Sequence, residues 1–328
     1  MRFLRTVFGV ADGYRMFQAD VLRWKCFAPH PFWEGSRGLA LRYKGEIAAF
    51  GCLVPCRFLT GSGTISSCNV IDWAASKTVP GAGAMLYRHI QGLTGTMINI
   101  GGTGDARTVL PKIGFQARAE RYGYTRVLHP WRHFQQGQKD WKSPLRLARD
   151  LGELRRATQA VGPTLKALRL KSFAGVAAEA FPDPSVTQQV VCARTPESLG
   201  YVMACPAAQM EAHLLERDRQ PVGYFLLSRL GCQCRIADLW IRSPHGQAWA
   251  EAYATAATAA IASGTHPHTS AITAAASLPL ETSALEQAGY RRTHSEPVFV
   301  LDPERRLGDR NDLVLNLLEN DGYYWRRD

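Results

Sequence analysis

One order of elements occurs twice in this chain, and that repeat restricts the fold more than any single motif. Leu22-Arg23-Trp24-Lys25-Cys26-Phe27-Ala28-Pro29 and Leu199-Gly200-Tyr201-Val202-Met203-Ala204-Cys205-Pro206 share the shape Leu-x-aromatic-x4-Pro. A strand–turn–strand pattern follows each: 38–43 and 47–58 around Lys44-Gly45-Glu46, then 209–215 and 222–230 around residues 216–221. A third strand comes next (65–75; 234–241), then a Gly-containing turn that opens a helix (82–93; 247–262, the second rich in Ala). Short strands at 96–100 and 270–275 lead into further helices. Gly114-Phe115 and Gly289-Tyr290 end those helices, with Gly as the expected stop. Strands at 116–128 and 291–301 close the copies. A repeated order of this kind predicts two like units.

The spacer supports that division. Residues 129–185 read as a polar helical linker, with Leu145, Leu147, Leu151 and Leu154 at helical spacing and Phe181-Pro182-Asp183-Pro184 at its end. The expected layout is a unit over 1–128, a linker over 129–185 and a unit over 186–328. The class is α+β, each unit a mixed, mostly antiparallel sheet flanked by helices.

Charge separates the halves further. Residues 1–171 carry 26 Lys and Arg against 10 Asp and Glu; residues 172–328 carry 13 against 18. The front half therefore suits an anionic ligand such as a nucleotide cofactor, an acidic protein or nucleic acid, or else simply presents a solvated surface. No run of five basic residues marks a nucleic-acid arm. With 46% apolar and 20% charged residues the chain reads as globular, not disordered. Eight Cys in 328 residues are too few for a disulfide scaffold. Arg5 and Asp12 interrupt the N-terminal apolar stretch, so a signal peptide is not expected. No window reaches the roughly 18 apolar residues of a membrane span. The expected setting is the reducing cytoplasm.

The strongest local chemistry lies at residues 69–87. Gly81 and Gly83 let backbone approach a ligand, and Pro80 presets the first helical turn. The first N–H groups of a helix have no intrahelical partner, and with the helix dipole they form an anion site suited to a pyrophosphate. Pro-Gly-Ala-Gly is also an ordinary turn, and taken alone it would be read as one.

Taken together, the element order, this turn and the Gly-Phe after the second helix resemble the GCN5-related N-acetyltransferase (GNAT) superfamily. With two copies over most of the chain, the protein resembles bacterial tandem GNAT proteins. The family's cofactor motif is Arg/Gln-x-x-Gly-x-Gly/Ala. This chain reads Thr78-x-x-Gly81-x-Gly83 and Ser243-x-x-Gly246-x-Ala248, with basic Lys77 and Arg242 one place earlier. The resemblance implies two GNAT-like units that use acetyl-CoA or another acyl-CoA as co-substrate, with no metal. In the front unit the cofactor contacts it implies are Ala74, Ala75, Lys77, Thr78, Val79, Gly81, Ala82, Gly83 and Ala84. Asn99, on the strand after the first helix, is a further contact for pantetheine or substrate, or a turn former.

Direct attack of an amine on a thioester needs a base, an oxyanion donor and a proton for the thiolate. Asp72 and Asp238, on the third strands, are the candidate bases; each also reads as a strand-edge carboxylate capping a turn. The family's frequent acid, a Tyr four residues before Gly-Phe, is replaced by Leu110 and Leu285. The implied activity is N-acylation of a small metabolite or amino sugar. A non-catalytic binding protein and an aminoacyl-tRNA-dependent transferase are the alternatives. The partners expected are a small amine acceptor and a second copy in a homodimer, with tRNA only under the last reading.

Other features carry less. Cys52-x3-Cys56 and Cys232-x-Cys234 lack zinc-type spacing and read as structural thiols. His266-Pro267-His268 reads as a solvated turn before it reads as a metal site. His245 could meet a phosphate in the second turn. Tyr323-Tyr324-Trp325 docks on the core or lines a groove. No Ser-His-Asp or Walker-type motif occurs.

Overall fold

Lys44 and Gly45 turn the first hairpin with φ of 50° and 86°, the mirror-image turn whose twist suits paired strands. Asp218 and Arg219 do the same in the second copy without a glycine, with φ of 52° and 66°. The computed structural model describes residues 2–137, 139–160, 164–187, 189–262, 269–307 and 312–324. His266, His268 and Trp325 lie outside the described residues.

In the front half, α1 (Arg2–Phe8) and α2 (Ala19–Phe27) precede β1 (Gly38–Tyr43), β2 (Glu46–Thr60) and β3 (Gly63–Ala75). Then follow α3 (Ala82–Gln91), β4 (Met97–Ile100), α4 (Gly104–Lys112) and β5 (Gln116–Val127). The spacer supplies α5 (Pro130–Gln136) and α6 (Ser143–Ala160), and also an edge strand, β6 (Lys166–Leu170), which pairs antiparallel with the back half. After α7 (Pro184–Thr187) and β7 (Val190–Cys192), the back half runs α8 (Pro196–Met203), β8 (Gln209–Arg217), β9 (Gln220–Leu230) and β10 (Gln233–Ile241). It continues through α9 (Gly246–Ala262), β11 (Ala271–Ala276), α10 (Pro279–Gln287) and β12 (Arg291–Leu301) to β13 (Leu313–Val314).

All of these strands join one 13-stranded sheet, in the order β13-β7-β2-β3-β4-β12-β5-β11-β10-β9-β8-β6, with β1 on a separate stretch of β2. The halves exchange their last strands. β12 lies antiparallel to β4 of the front half, and β5 lies antiparallel to β11 of the back half. β5 and β12 pair with each other at the centre. The order repeats as the sequence implies, but each copy's sheet is completed by the other's chain.

In each half the central pair is parallel and short. β3 and β4 pair only at Cys68↔Met97 and Asn69↔Ile98; β10 and β11 pair only from Gln233↔Ala271 to Arg235↔Thr273. Beyond those residues the strands splay. A bulge lies at each splay: Asp72 and Trp73 together face Gly51, and Ala237 is the extra residue between Ile236 and Asp238. Asp72 takes φ 51°, a conformation Asp tolerates better than most residues. Alanines at 248, 250, 252, 254, 256, 257 and 260 are buried along α9, whose small side chains let the helix approach the sheet closely. No described helix is long and apolar enough to cross a membrane.

Candidate active site between the two halves

The front splay holds the expected turn. Ser76 Oγ accepts from Thr78 N at 3.3 Å, and Ala82 N donates to Val79 O at 3.2 Å. Gly81, at φ 80°, is the N-cap of α3; Met85 N makes the first i→i−4 bond, to Gly81 O at 2.9 Å. The N–H groups of Gly83 and Ala84 precede that bond and open toward the turn. Gly81 has open space where a Cβ would stand. Gly83 does not: a Cβ there would lie 3.1 Å from Ala75 Cβ and 3.3 Å from the Trp73 ring. A larger residue at 83 would therefore have to displace Ala75 or Trp73 by a few tenths of an ångström, and Trp73 Nε1 donates to the Gly83 carbonyl at 3.2 Å. Lys77 and Thr78 are exposed, Val79 is half-buried and Ala82 buried.

Asn99 stands where β3 and β4 part. Its Nδ2 donates to the Tyr87 hydroxyl at 3.0 Å and to Val70 O at 3.4 Å, while its Oδ1 is buried without a partner among the described residues. An orphaned acceptor of this kind is costly unless a ligand or water fills it. Ala74 and Ala75 continue β3 from the bulge to the turn.

Asp72 is ion-paired with the buried Lys25 of α2. Burial alone would lower the Lys25 pKa, but attraction to Asp72 outweighs it and the ammonium is held charged. Close to this pair lies Asp321, half-buried on the C-terminal segment. Burial, reinforced by repulsion from Asp72, pushes its carboxyl up to about 6 against the pull of Lys25.

Asp238 has a different setting. It is 2% exposed and accepts from Arg194 Nε at 2.8 Å, Asn316 Nδ2 at 2.8 Å and the Tyr224 hydroxyl. Arg194 also pairs with Glu319, and the two carboxylates raise its pKa against the opposing effect of burial. Asp238 is therefore held within a buried hydrogen-bonded network. Its turn differs too: Trp249 Nε1 donates to Ser243 O at 2.9 Å, Arg242 lies 3.8 Å from Asp183, and His245 is exposed. Leu110 and Leu285, at the positions of the family's Tyr, are fully buried.

Residues 315–324 run between the two splays. Arg121 donates to Asn316 O at 2.7 Å, Asn69 Nδ2 to Glu319 O at 2.8 Å, and Arg235 to Gly322 O. Tyr323 and Tyr324 are buried against the core, Tyr324 edge-on to Trp24 at 5.3 Å. One wall of a groove of about 550 Å³ is formed by this segment, including Asn320 and Asp321. Thr125, Arg235, Thr273 and His294 line it from the central strands. The His294 ring lies against Gly123, where a Cβ would fall 2.0 Å from it. Sequence reasoning did not reach Lys25, Arg194, Asn316, Glu319 or Asp321. The one available signal was the polar run Glu319-Asn320-Asp321 inside an apolar C-terminal stretch.

No protein-family model and no curated protein matches the sequence. Solved structures do resemble it. A GCN5-related N-acetyltransferase from Anabaena variabilis aligns with a TM-score of 0.56 at 10% identity, over 91% of this chain and 68% of that one. Saccharomyces cerevisiae N-myristoyltransferase with bound myristoyl-CoA gives 0.60 at 10% identity, over 92% and 79%. A conserved protein from Enterococcus faecalis, described as a probable N-acyltransferase, gives 0.53 at 10% identity, over 94% and 69%. The chain has the fold of the GCN5-related N-acetyltransferases, built twice and joined through exchanged strands.

Proposed function

We propose that this chain is an N-acyltransferase that moves an acyl group from acyl-CoA to an amine of a small metabolite or amino sugar. The observation that carries this reading is the unpartnered Asn99 Oδ1 in the front splay, beside a glycine turn that opens a helix. The resemblance to a structure with bound myristoyl-CoA supports an acyl-CoA donor. On this reading the N–H groups of Gly81, Gly83 and Ala84, with Lys77, take the pyrophosphate. Ala74, Ala75, Thr78, Val79 and Ala82 flank the pantetheine arm, and Asn99 Oδ1 accepts one of its amide N–H groups.

The acceptor enters from the groove. Its nitrogen attacks the thioester carbonyl; the C–N bond forms, the C–S bond breaks, the amine proton passes to Asp321 and the thiolate is protonated from water. Burial and the repulsion from Asp72 raise the proton affinity of Asp321. Asp238 holds the C-terminal segment in place through Asn316 and Arg194.

Titration calorimetry with acetyl-CoA tests the donor site. One tight site per chain is expected, weakened at least tenfold, or about 1.4 kcal/mol, by Lys77→Glu. Failure of the wild-type chain to bind CoA defeats the reading. The buried Leu110 and Leu285 favour a second, non-catalytic reading. Binding without thiol release in the presence of amines would establish that alternative.

A further inference from the structure

Helix α5 and the start of α6 present a surface that no other described element covers. Trp131, Trp141 and Leu145 are 60%, 79% and 66% exposed. Trp131 stacks on Phe134 with centroids 5.4 Å apart. Cations lie over these rings: Lys139 Nζ is 3.8 Å from the Phe134 centroid, and Lys142 Nζ 5.1 Å from that of Trp141. Residues 129–149 hold five Lys and Arg and one acid, Asp140. That acid is engaged within the surface, by Arg146 at 2.7 Å and by Ser143. The two helices are fastened together by His133 and Asp150 at 2.8 Å, and His133 and Gln136 also reach the groove, so this surface forms part of its rim.

We propose that this aromatic and basic surface docks on an anionic lipid bilayer. Indole rings are amphipathic and settle at the headgroup level, and lysines beside them gain from the negative potential of anionic lipid. Lysines held over the half-buried Phe134 and the exposed Trp141 place both contributions on the same few side chains. A second copy is a poor fit, because a two-fold contact would set this net positive surface against itself. The proposal stands independently of the acyl-transfer reading, since it uses none of the donor or groove residues as ligands.

Co-sedimentation of the full chain with vesicles tests it. The wild type is expected to sediment with phosphatidylcholine vesicles containing about one third phosphatidylglycerol, to stay in solution with phosphatidylcholine alone, and to be released by salt. Trp131→Ala/Trp141→Ala and, separately, Lys139→Glu/Lys142→Glu should each weaken partitioning about tenfold or more. All four side chains are exposed, and melting curves matching the wild type would show that the variants fold. Equal sedimentation with neutral vesicles, none with anionic ones at low salt, or variants that bind as the wild type each overturn the proposal. So does loss of a dimer, seen by sedimentation velocity, as the only effect of the substitutions.

Discussion

Trp24 and Tyr201, which occupy the same place in the two copies of Leu-x-aromatic-x4-Pro, stack on each other with centroids 4.9 Å apart and planes 14° from parallel. Trp24 Nε1 donates to Tyr201 O at 3.1 Å. Arg37 sits over the Tyr201 ring at 5.0 Å and donates to the Tyr201 hydroxyl, to Trp24 O and to Ala28 O, closing the end of α2. The repeat is thus also a contact, with α2 and α8 meeting where the halves join. Tyr201→Ala should destabilise the chain by roughly 3 kcal/mol, and Tyr201→Phe by about 1 kcal/mol. Chemical denaturation measures both; equal effects would show that the ring contributes nothing beyond its hydroxyl.

The Lys25–Asp72 pair makes a second prediction. Lys25→Met leaves Asp72 facing a low-dielectric site without its cation, at a cost of roughly 3–5 kcal/mol. Lys25→Met/Asp72→Asn removes both charges and should recover most of that loss. A double variant as unstable as the single one would mean that the ion pair is not the source of the effect.

Asp321 sets the pH dependence expected of the acyl transfer. With its carboxyl near 6, the base form accumulates as pH rises, so kcat/KM should climb through pH 6 and then level off. Asp321→Asn should lower turnover by about 100- to 10,000-fold while CoA affinity is kept. Asp72→Asn removes the repulsion and should shift the inflection below pH 6. Asp238→Asn should loosen the C-terminal segment and lower thermal stability without moving the inflection. A pH profile indifferent to Asp72 and Asp321 would exclude both from proton transfer.

Glu281 bears on stability, not on turnover. It is 1% exposed at the start of α10, no described side chain donates to it, and burial pushes its carboxyl up to about 8. The folded protein therefore holds a proton that the unfolded chain releases above about pH 4.5. Stability contributed by this group falls as pH rises from there to 8, by about 1.4 kcal/mol per pH unit. Glu281→Gln should match the wild type near pH 4.5 and exceed it at pH 8. Parallel stability curves for the two proteins would rule out this titration.

The local parts of this fold were legible because their causes are local. Lys44-Gly45 marked a hairpin and so the strands on either side of it, and Gly81 marked a helix start. The second hairpin turn was legible as residues 216–221, but its tight form at Asp218-Arg219 was not, since neither residue advertises a left-handed conformation as glycine does. The exchange of β5 and β12 left no trace, because the partners β4–β12 and β5–β11 lie far apart in the chain and meet only through tertiary packing. Asp72 and Asp238 looked alike on paper, yet Asp72 lies six residues before Thr78 and Asp238 five before Ser243. That one-residue difference puts Asp72 in its bulge and Asp238 after its own. Lys25 and Asp321 are far from Asp72 in the chain and become its neighbours only when α2 and residues 315–324 close on the splay.

The exchanged strands also constrain the order in which the chain matures. β4 is in place by residue 100, but the strand that covers its open side ends at residue 301. The front sheet therefore keeps a bare hydrogen-bonding edge until most of the polypeptide has been synthesised, and such edges invite pairing with other chains. Long-range pairing of this sort folds slowly. A fragment stopping in the spacer would leave β5 without either of its strand partners, so the two halves should be obtainable together but not apart.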